Sequence, residues 1–168
     1  MRWDDLFADL VGQWEAQARW EAEEEIRELA HAEMAATTFA DRVRARRSHQ
    51  LTVRVSNGQD YTGTVRDVSS HWIVLADGHR RHLIPIAAMV AAWPLAGSAP
   101  PARGVERALG LGHVLRALAR DGQPVVARTA GGDHRGRLVR IGGDHLDNAS
   151  ETGVVTIAWA GRLCVSSR

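Results

Sequence analysis

The chain has 168 residues, 45% of them hydrophobic, which is enough to bury the core of one compact domain or of two small ones. No stretch approaches the ~20 apolar residues of a membrane-spanning helix, and the opening MRWDDLFADL is too acidic for a signal peptide, so we expect a cytoplasmic protein that binds no membrane. The single cysteine, Cys164, excludes an internal disulfide and a multi-cysteine metal site, and we expect it to be a small buried residue.

Charge is divided unevenly along the chain. Residues 1–35 carry ten carboxylates against three arginines, a net charge of −7. The remaining residues carry ten carboxylates against eighteen arginines, a net charge of +8, and lysine is absent from the sequence. An acidic front therefore precedes a basic remainder, which can attract phosphate groups or acidic surfaces.

Residues 1–47 predict a long acidic helix, running from residue 3 to about 46, or two helices joined at Gly12. Apolar residues recur along its first part at spacings of three and four and form one face, consisting of Trp3, Phe7, Leu10 and Trp14. A helix of ~40 residues is ~60 Å long, farther than a small barrel can cover. We therefore expect this face to mediate self-association or to bind a protein partner.

Residues 48–96 have the pattern of a small five-stranded β-barrel. Apolar and polar residues alternate along 51–56, which is typical of a half-buried strand. Asn57-Gly58 predicts a type I′ hairpin turn, because both residues tolerate the positive φ that this turn requires. The second strand contains Gly63 at a point where it can bend. The strands are predicted at 51–56, 61–66, 72–75, 82–86 and 90–93.

A linker, a second helix and a second barrel follow. Residues 97–104 have the proline and small-residue composition of a linker, and 105–121 have the apolar face of a helix. Gly122 is a natural left-handed cap for that helix, and Pro124 prevents its continuation. Residues 122–168 then read as strands.

The second barrel repeats the first in sequence, with Gly136 and Leu138 following Gly63 and Val65 by 73 positions. Two further alignments are made by pattern: Val125 and Ala127 with Val53 and Val55, if the second hairpin turn is one residue longer, and Val155 and Ile157 with Ile84 and Ile86. We therefore predict an α+β fold of two tandem, superposable helix-plus-five-stranded barrels rather than one continuous sheet. The residues expected in the two cores are Val53, Val55, Val65, Ile73, Leu75, Ile84, Ile86, Val125 or Val126, Leu138, Ile141, Leu146 and Ile157.

The first barrel resembles the Sm-like family, whose fold is an N-terminal helix followed by a bent five-stranded barrel. The resemblance rests on the pattern V-x-V-x-N-G-x-x-Y-x-G-T-V, carried by Val53, Val55, Asn57, Gly58, Tyr61, Gly63, Thr64 and Val65, and on Ile73-Val74-Leu75. Hairpins of this type also occur in other SH3-like barrels. The family's RNA-binding motifs are replaced here by Ser69-Ser70-His71-Trp72 and Ile84-Pro85-Ile86-Ala87, so the resemblance implies the barrel but not its uridine pocket.

The opening MRWDDLFADL also resembles a group of small actinobacterial proteins, some labelled Fis-like transcriptional regulators. That label implies a C-terminal helix-turn-helix. Because the C-terminus of this chain reads as strands, the label sets no expectation here.

The sequence predicts no enzyme: no catalytic residues, no metal site, no cofactor and no small-molecule substrate. His79 and His82 lie at a hairpin, where side chains three apart point to opposite faces, and no third ligand has suitable spacing. Asp144-His145 are adjacent residues in a tight turn. Gly131-Gly132 and Gly142-Gly143 join strands instead of opening a helix, so neither forms a phosphate-binding glycine motif.

Two binding functions remain. The first is an interaction scaffold or adaptor that associates through the N-terminal helix and the open edges of the barrels. The second is an RNA- or DNA-binding regulator that uses outward-facing arginines, with Tyr61 and Trp72 assigned to the core rather than to base stacking. The arginine candidates are Arg54, Arg66, Arg80, Arg81, Arg135, Arg137 and Arg140.

Overall fold

The computed structural model describes residues 3–100, 102, 104–161 and 163–167, without the side chains of residues 3–10 and 105. It has an α+β structure with a long N-terminal helix and a ten-stranded antiparallel sheet. The chain divides into two compact units, Met1–Thr38 and Phe39–Arg168. Within the described residues, no helix combines the length and the hydropathy needed to cross a membrane.

The first unit consists of helix α1, Trp3–Ala36, which continues through Gly12 without a joint. It ends at Thr37 and Thr38, where the hydroxyl and the amide of Thr37 both donate to the carbonyl oxygen of Glu33. Consecutive threonines disfavour a helix interior because their hydroxyls compete for backbone groups. The prediction of one continuous helix to about residue 46 is therefore wrong at Thr37 and Thr38, although Phe39–Arg44 is helical as predicted.

Helix α2, Phe39–Arg44, belongs to the second unit, and its Val43 is completely buried in that unit's core. Arg44 donates to the carboxylate of Asp41 at 2.5 Å and to the carbonyl oxygen of Pro100. Arg42 donates to the carbonyl oxygen of Leu95 at 2.7 Å. These bonds attach the segment after the fifth strand to α2.

The ten strands fall into two halves of five, and each half has the same strand order. The first half contains β1 (Gln50–Val55), β2 (Asp60–Val68), β3 (Trp72–Asp77), β4 (Arg80–Pro85) and β5 (Met89–Trp93), in the order β5-β1-β2-β3-β4. The second half contains β6 (Val125–Thr129), β7 (Gly132–Ile141), β8 (His145–Ser150), β9 (Gly153–Ala158) and β10 (Cys164–Ser167), in the order β10-β6-β7-β8-β9.

The two halves are joined into one sheet, because β4 pairs with β10. Leu83 pairs with Val165 and His82 with Ser166. The sequence predicts two sheets that are not continuous, and this prediction is wrong. Pairing between strand edges that lie ~80 residues apart leaves no local pattern in the sequence.

The halves also share their irregularities. A Cβ on Gly63 would lie 2.5 Å from the carbonyl oxygen of Ala76, and a Cβ on Gly136 would lie 2.2 Å from that of Ala149. Each half has a register shift just after this glycine, between Val65 and Asp67 in the first half and between Leu138 and Arg140 in the second. Each half also has a 3₁₀ turn before its last strand, Ile86–Ala88 and Trp159–Gly161. These features support an internal duplication.

Strand pairing corrects the alignment of the first two strands. Gly63 pairs with Leu51, and its counterpart Gly136 pairs with Val125. Val125 therefore corresponds to Leu51 and not to Val53. The second hairpin connection is one residue shorter than the first, whereas the sequence predicts one residue longer.

The fourth strands need the same kind of correction. Ile73 pairs with Ile84, and its counterpart Leu146 pairs with Ile157. Ile157 therefore corresponds to Ile84 and not to Ile86. A shift of two residues keeps every side chain on the same face, so the alternation in the sequence could not detect it.

The turn at Asn57-Gly58 is not type I′, because only Gly58 has a positive φ, 84°. The Gly58 amide donates to the carbonyl oxygen of Val55 at 2.8 Å, so Ser56 and Asn57 are the central residues of the turn. Gly58 then supplies the left-handed residue that a longer hairpin loop requires. The side chain of Asn57 accepts from the Gln59 amide at 3.0 Å.

The predicted second helix is divided into α3, Gly104–Ala108, and α4, Leu111–Asp121. The division frees the carbonyl oxygen of Leu109, which accepts from the indole nitrogen of Trp72 at 2.8 Å. The predicted cap is confirmed: Gly122 is left-handed with φ 65°, and its amide donates to the carbonyl oxygen of Leu118.

The core consists of two clusters, and each cluster contains residues from both halves of the sheet. Cys164 of the second half packs in the first cluster, and Trp72 and Leu83 of the first half pack in the second. Burial is confirmed for Cys164, Tyr61 and Trp72 and for the predicted core residues except two, Ile86 and Ile141, which are only partly buried.

Candidate functional site

The ends of the sheet are the first candidate site. Among the described residues, β5 pairs only with β1, and β9 pairs only with β8, so each presents one row of backbone groups without a strand partner. Of the described side chains in the second unit, the exposed large hydrophobic ones are Phe39, Val90, Trp93, Val139, Val154 and Val155. Four of these six lie on β5 or β9. An open and apolar edge is a template for pairing with another chain.

The pairing of β4 with β10 forms a seam between the halves. The seam contains a polar cluster of the buried residues His82 and Ser166 and the half-buried Arg128. Nδ1 of His82 lies 2.7 Å from the Ser166 hydroxyl. The same hydroxyl accepts from Arg128 at 2.8 Å, and Arg128 also donates to Asp133 at 3.2 Å. The ring of Tyr61 lies 5.0 Å from that of His82. The cluster therefore connects β4, β10, β6 and β2.

Burial lowers the pKa of His82 below its ordinary 6.5, and the charge of Arg128 lowers it further, as does Arg80, whereas Asp77 opposes them. His82 is therefore neutral near pH 7, and its Nδ1 can accept a hydrogen bond from the Ser166 hydroxyl. Burial likewise raises the pKa of Tyr61 to about 12 and that of the Cys164 thiol to about 12.

Acidification should destabilise the second unit through His82. Below pH 6.5 the unfolded chain protonates this residue, whereas the folded chain resists protonation, so the free energy of unfolding should fall as the pH falls from 6.5 toward the lowered pKa. The effect is absent above that window. Urea denaturation at pH values on both sides of 6.5 measures it.

His82→Asn provides the comparison, because asparagine does not titrate and can still bond to Ser166. As the pH falls, the free energy of unfolding should decrease less steeply in this variant than in the native chain, whatever the stability of the variant near pH 7. His31→Asn, at an exposed position of α1, should keep the native pH dependence. Equal slopes for His82→Asn and the native chain would contradict the prediction.

In the first half, residues of β1, β2 and β5 form the counterpart of the seam cluster, with different chemistry. Arg54 pairs with Asp60 at 2.7 and 2.8 Å, as Arg128 pairs with Asp133 in the second half. The guanidinium of Arg54 also lies over the ring of Trp93, 5.3 Å from its centroid. Hydrogen bonding to Arg54 lowers the pKa of Asp60.

A pocket of about 200 Å³ is formed by residues of β7, β8 and β9. It is lined by Asp133, His134, Arg135, Asn148, Ser150, Thr152 and Val155. Asn148 is 2% exposed, and its amide nitrogen donates to the carbonyl oxygen of His134 at 2.9 Å. Its Oδ1 has no hydrogen-bond partner among the described residues. Buried acceptors without partners are uncommon, so Asn148 Oδ1 is an unsatisfied acceptor in the lining of this pocket.

The arginine candidates are spread over four strands. Arg54 lies on β1, Arg66 on β2, Arg80 and Arg81 at the start of β4, and Arg135, Arg137 and Arg140 on β7. Three of them already have partners: Arg54 binds Asp60, Arg81 donates to two backbone carbonyl oxygens, and Arg140 lies 3.8 Å from Asp147.

Arg135 and Arg137 line a common pocket of about 670 Å³. Its other lining residues are Pro124, Val125, Gly136, Ala149, Ser150, Glu151 and Thr152. Two guanidinium groups with neighbouring hydroxyls suit a phosphate, whereas the carboxylate of Glu151 opposes an anion. The structure thus singles out two of the seven arginines.

The predicted interaction face of α1 can be followed only in part. The side chains of Trp3, Phe7 and Leu10 lie outside the described residues, and Trp14 is 78% exposed. The other exposed large hydrophobic residues described on α1 are Val11, which precedes Trp14, and Trp20, Ile26, Leu29 and Met34, which follow it. Exposed apolar residues therefore continue beyond the predicted face.

Sequence patterns missed the seam cluster, Asn148 and the location of the free edges. Asn148 was detectable, because it occupies the position of Leu75, 73 residues earlier in the repeat, where an apolar residue is expected. The edges were not detectable, since they depend on which strands pair.

The described residues contain no group of three or more histidine, cysteine, aspartate or glutamate side chains that could hold a metal ion. Comparison of the sequence with known proteins finds no matching family model and no matching curated protein.

Proposed function

We propose that the chain is a non-catalytic interaction scaffold, built on two tandem Sm-like barrels, that binds polypeptide chains through the open edges β5 and β9 and through α1. One observation carries the proposal: the exposed large hydrophobic residues described in the second unit are concentrated on β5 and β9, the two strands that have a neighbour on one side only. A partner strand would satisfy the backbone groups there and cover those side chains.

The tandem barrels are supported by the repeated strand order, in which β5 pairs with β1 and β10 with β6. A non-catalytic role is supported by the burial of the His82–Ser166 pair. A histidine within 2.7 Å of a serine could act as a base toward a nucleophile, but Ser166 is 2% exposed and His82 8%. No substrate carbonyl could reach that hydroxyl without opening the seam.

Site-specific photocrosslinking in the native cell tests the proposal. A photoreactive phenylalanine analogue replaces Val90 on β5 or Val154 on β9, residues that are 60% and 61% exposed. Irradiation should give covalent adducts with polypeptide at both positions, because a bound partner strand lies against each edge. Mass spectrometry identifies the partner.

Val139 supplies the matched control, since it is 57% exposed but lies on β7 within the sheet. The analogue at Val139 should give few adducts. Equal yields at all three positions, or none at the edges, would refute edge binding.

Nucleic-acid binding is the second candidate function, and the pocket shared by Arg135 and Arg137 favours it. Neither guanidinium has an ion-pair partner among the described residues, so both can bind phosphate oxygens. Crosslinks to nucleic acid instead of polypeptide would favour this function over the scaffold.

A further inference from the structure

We propose that α1 is a dimerisation helix, which pairs antiparallel with α1 of a second copy of this chain about a two-fold axis level with Trp20. This inference rests on the proposed role of α1 as a binding surface of the scaffold, and it names the partner. It concerns α1 from Val11 to Ala36, where the structure describes the side chains. None of these side chains is buried, so this part of the helix presents its surface to a partner.

One side of α1 carries a row of apolar side chains whose spacing is the same in both directions. Successive members are three, four, four, four and three residues apart, so all of them lie within about one third of the helix circumference. The row consists of Val11, Trp14, Ala18, Ala22, Ile26 and Leu29. The four large members are 56% to 78% exposed. Large residues therefore occupy both ends of the row, and small residues occupy its centre.

A row with this symmetry is complementary to a second copy of itself when the two helices run in opposite directions. An axis level with residue 20 pairs the members as Ala18 with Ala22, Trp14 with Ile26, and Val11 with Leu29. The alanines allow the two backbones to approach closely at the centre of the contact. The two-fold relation repeats every pair, so one face of α1 forms the whole interface and removes four large side chains per copy from water.

The charges of α1 favour the same direction. Residues 21–28 contain five glutamates and one arginine, Arg27, a net charge of 1 − 5 = −4. Residues 12–19 contain one glutamate, Glu15, and one arginine, Arg19, a net charge of zero. The antiparallel arrangement places each acidic segment beside a neutral one. Parallel helices in register would place the two acidic segments side by side, where their charges repel.

A groove already exists beside Trp14. It has a volume of about 440 Å³, and its described lining consists of Gln13, Trp14, Gln17, Ala18 and Glu21 of α1. Ile26 and Ala22 of the second copy would lie against it, because they are the residues opposite Trp14 and Ala18.

Trp20 and Met34 are also exposed, but they do not belong to the row. Trp20 is two residues from both Ala18 and Ala22, which turns it about 200° away from each of them around the helix axis. It therefore points away from the proposed interface, although it is level with the two-fold axis.

Two variants of the full chain test the inference, Trp14→Arg and Ile26→Glu. Sedimentation equilibrium should give the native chain the mass of two copies. At the same concentration each variant alone should be monomeric, because it places a charge against an apolar residue at two symmetric points. An equimolar mixture should form a dimer, because the new arginine of one variant lies opposite the new glutamate of the other. The dimer also shows that both variants are folded.

The mixture distinguishes the two directions of pairing. In a parallel dimer in register, position 14 faces position 14 and position 26 faces position 26, so the new charges of the two variants would not meet. Trp20→Glu is the matched control, because it adds the same charge as Ile26→Glu to an exposed position outside the row. This variant should keep the native mass.

Salt provides a further test of the native dimer. Residues 1–35 carry a net charge of −7, so the two helices repel each other in water of low ionic strength. The dissociation constant of the dimer should therefore fall as the salt concentration rises. A dissociation constant that rises with salt would indicate contact between opposite charges and would contradict pairing of two acidic helices.

Three other results would overturn the inference. They are a monomeric native chain, an Ile26→Glu variant that remains dimeric, and a mixture that stays monomeric. If the native chain is monomeric but photocrosslinks form at Val90 and Val154, edge binding stands and only the inference about α1 fails. A dimeric native chain whose mixture is rescued, but which gives no crosslinks at the edges, would support α1 pairing and refute edge binding.

Discussion

Replacing Trp72 with alanine should lower the free energy of unfolding by about 3–5 kcal/mol, the range for a large aromatic residue removed from a core. Trp72 is 4% exposed, lies on β3 in the first half of the sheet and packs in the second cluster with Leu115 and Leu138. Its indole nitrogen also donates to the carbonyl oxygen of Leu109. One substitution in the first half should therefore weaken the core of the second.

Urea denaturation measures the change, and amide hydrogen exchange locates it. Exchange should accelerate in β6 and β7 as well as in β3, because the two halves share one sheet and each core cluster contains residues of both. Trp20→Ala is the matched control: Trp20 is 62% exposed on α1, and its loss should change stability by less than about 0.5 kcal/mol. Normal protection of β6 and β7 in Trp72→Ala would show that the halves are independent.

Each core cluster contains residues from both halves. This explains why the sequence predicts the individual strands well but not how the two halves join into one sheet. Alternation along 51–56 identifies a strand because it depends on local burial alone. The placement of Trp72 in the second cluster, and of Cys164 in the first, depends on the pairing of β4 with β10. Nothing within a few residues of either position encodes that pairing.

The length of the first hairpin connection in each half could not be deduced from the sequence, and this limited how accurately the two repeats could be aligned. Arg128 pairs with Asp133 across a four-residue connection, whereas the equivalent pair in the first half, Arg54 and Asp60, spans a five-residue connection. A two-residue error leaves the inward and outward faces unchanged, so the hydrophobic pattern fits both alignments. The helix ends were similarly ambiguous, since Thr37 and Thr38 occur in a run of otherwise good helix formers.

The sequence predicted the part of the candidate site that depends on surface charge. The seven arginines follow from their strand and turn positions, but the reduction to Arg135 and Arg137 required the structure, because it shows that these two line one pocket. The apolar edges were predictable only as a general feature of open barrels.

Replacing Arg135 and Arg137 together with glutamine should weaken binding of an unrelated duplex oligonucleotide and flatten its salt dependence. If each guanidinium neutralises one phosphate, the slope of log affinity against log salt should become shallower by about 1.8, because each phosphate contributes about 0.9. Fluorescence anisotropy over a series of salt concentrations measures the slope. Phosphate contacts carry no sequence information, so the loss should be similar for different sequences.

Arg116→Gln with Arg120→Gln is the matched control, because it removes the same charge from exposed positions of α4 outside the described lining of that pocket. A general effect of net charge would flatten the slope equally in both double variants, whereas a phosphate site at Arg135 and Arg137 would flatten it only in the first. Native folding of the first variant is checked by its urea midpoint, since both side chains are exposed and their loss should change stability little. If the affinity changes neither with salt nor on replacement of Arg135 and Arg137, the nucleic-acid function is excluded. The open edges then remain as the binding surface.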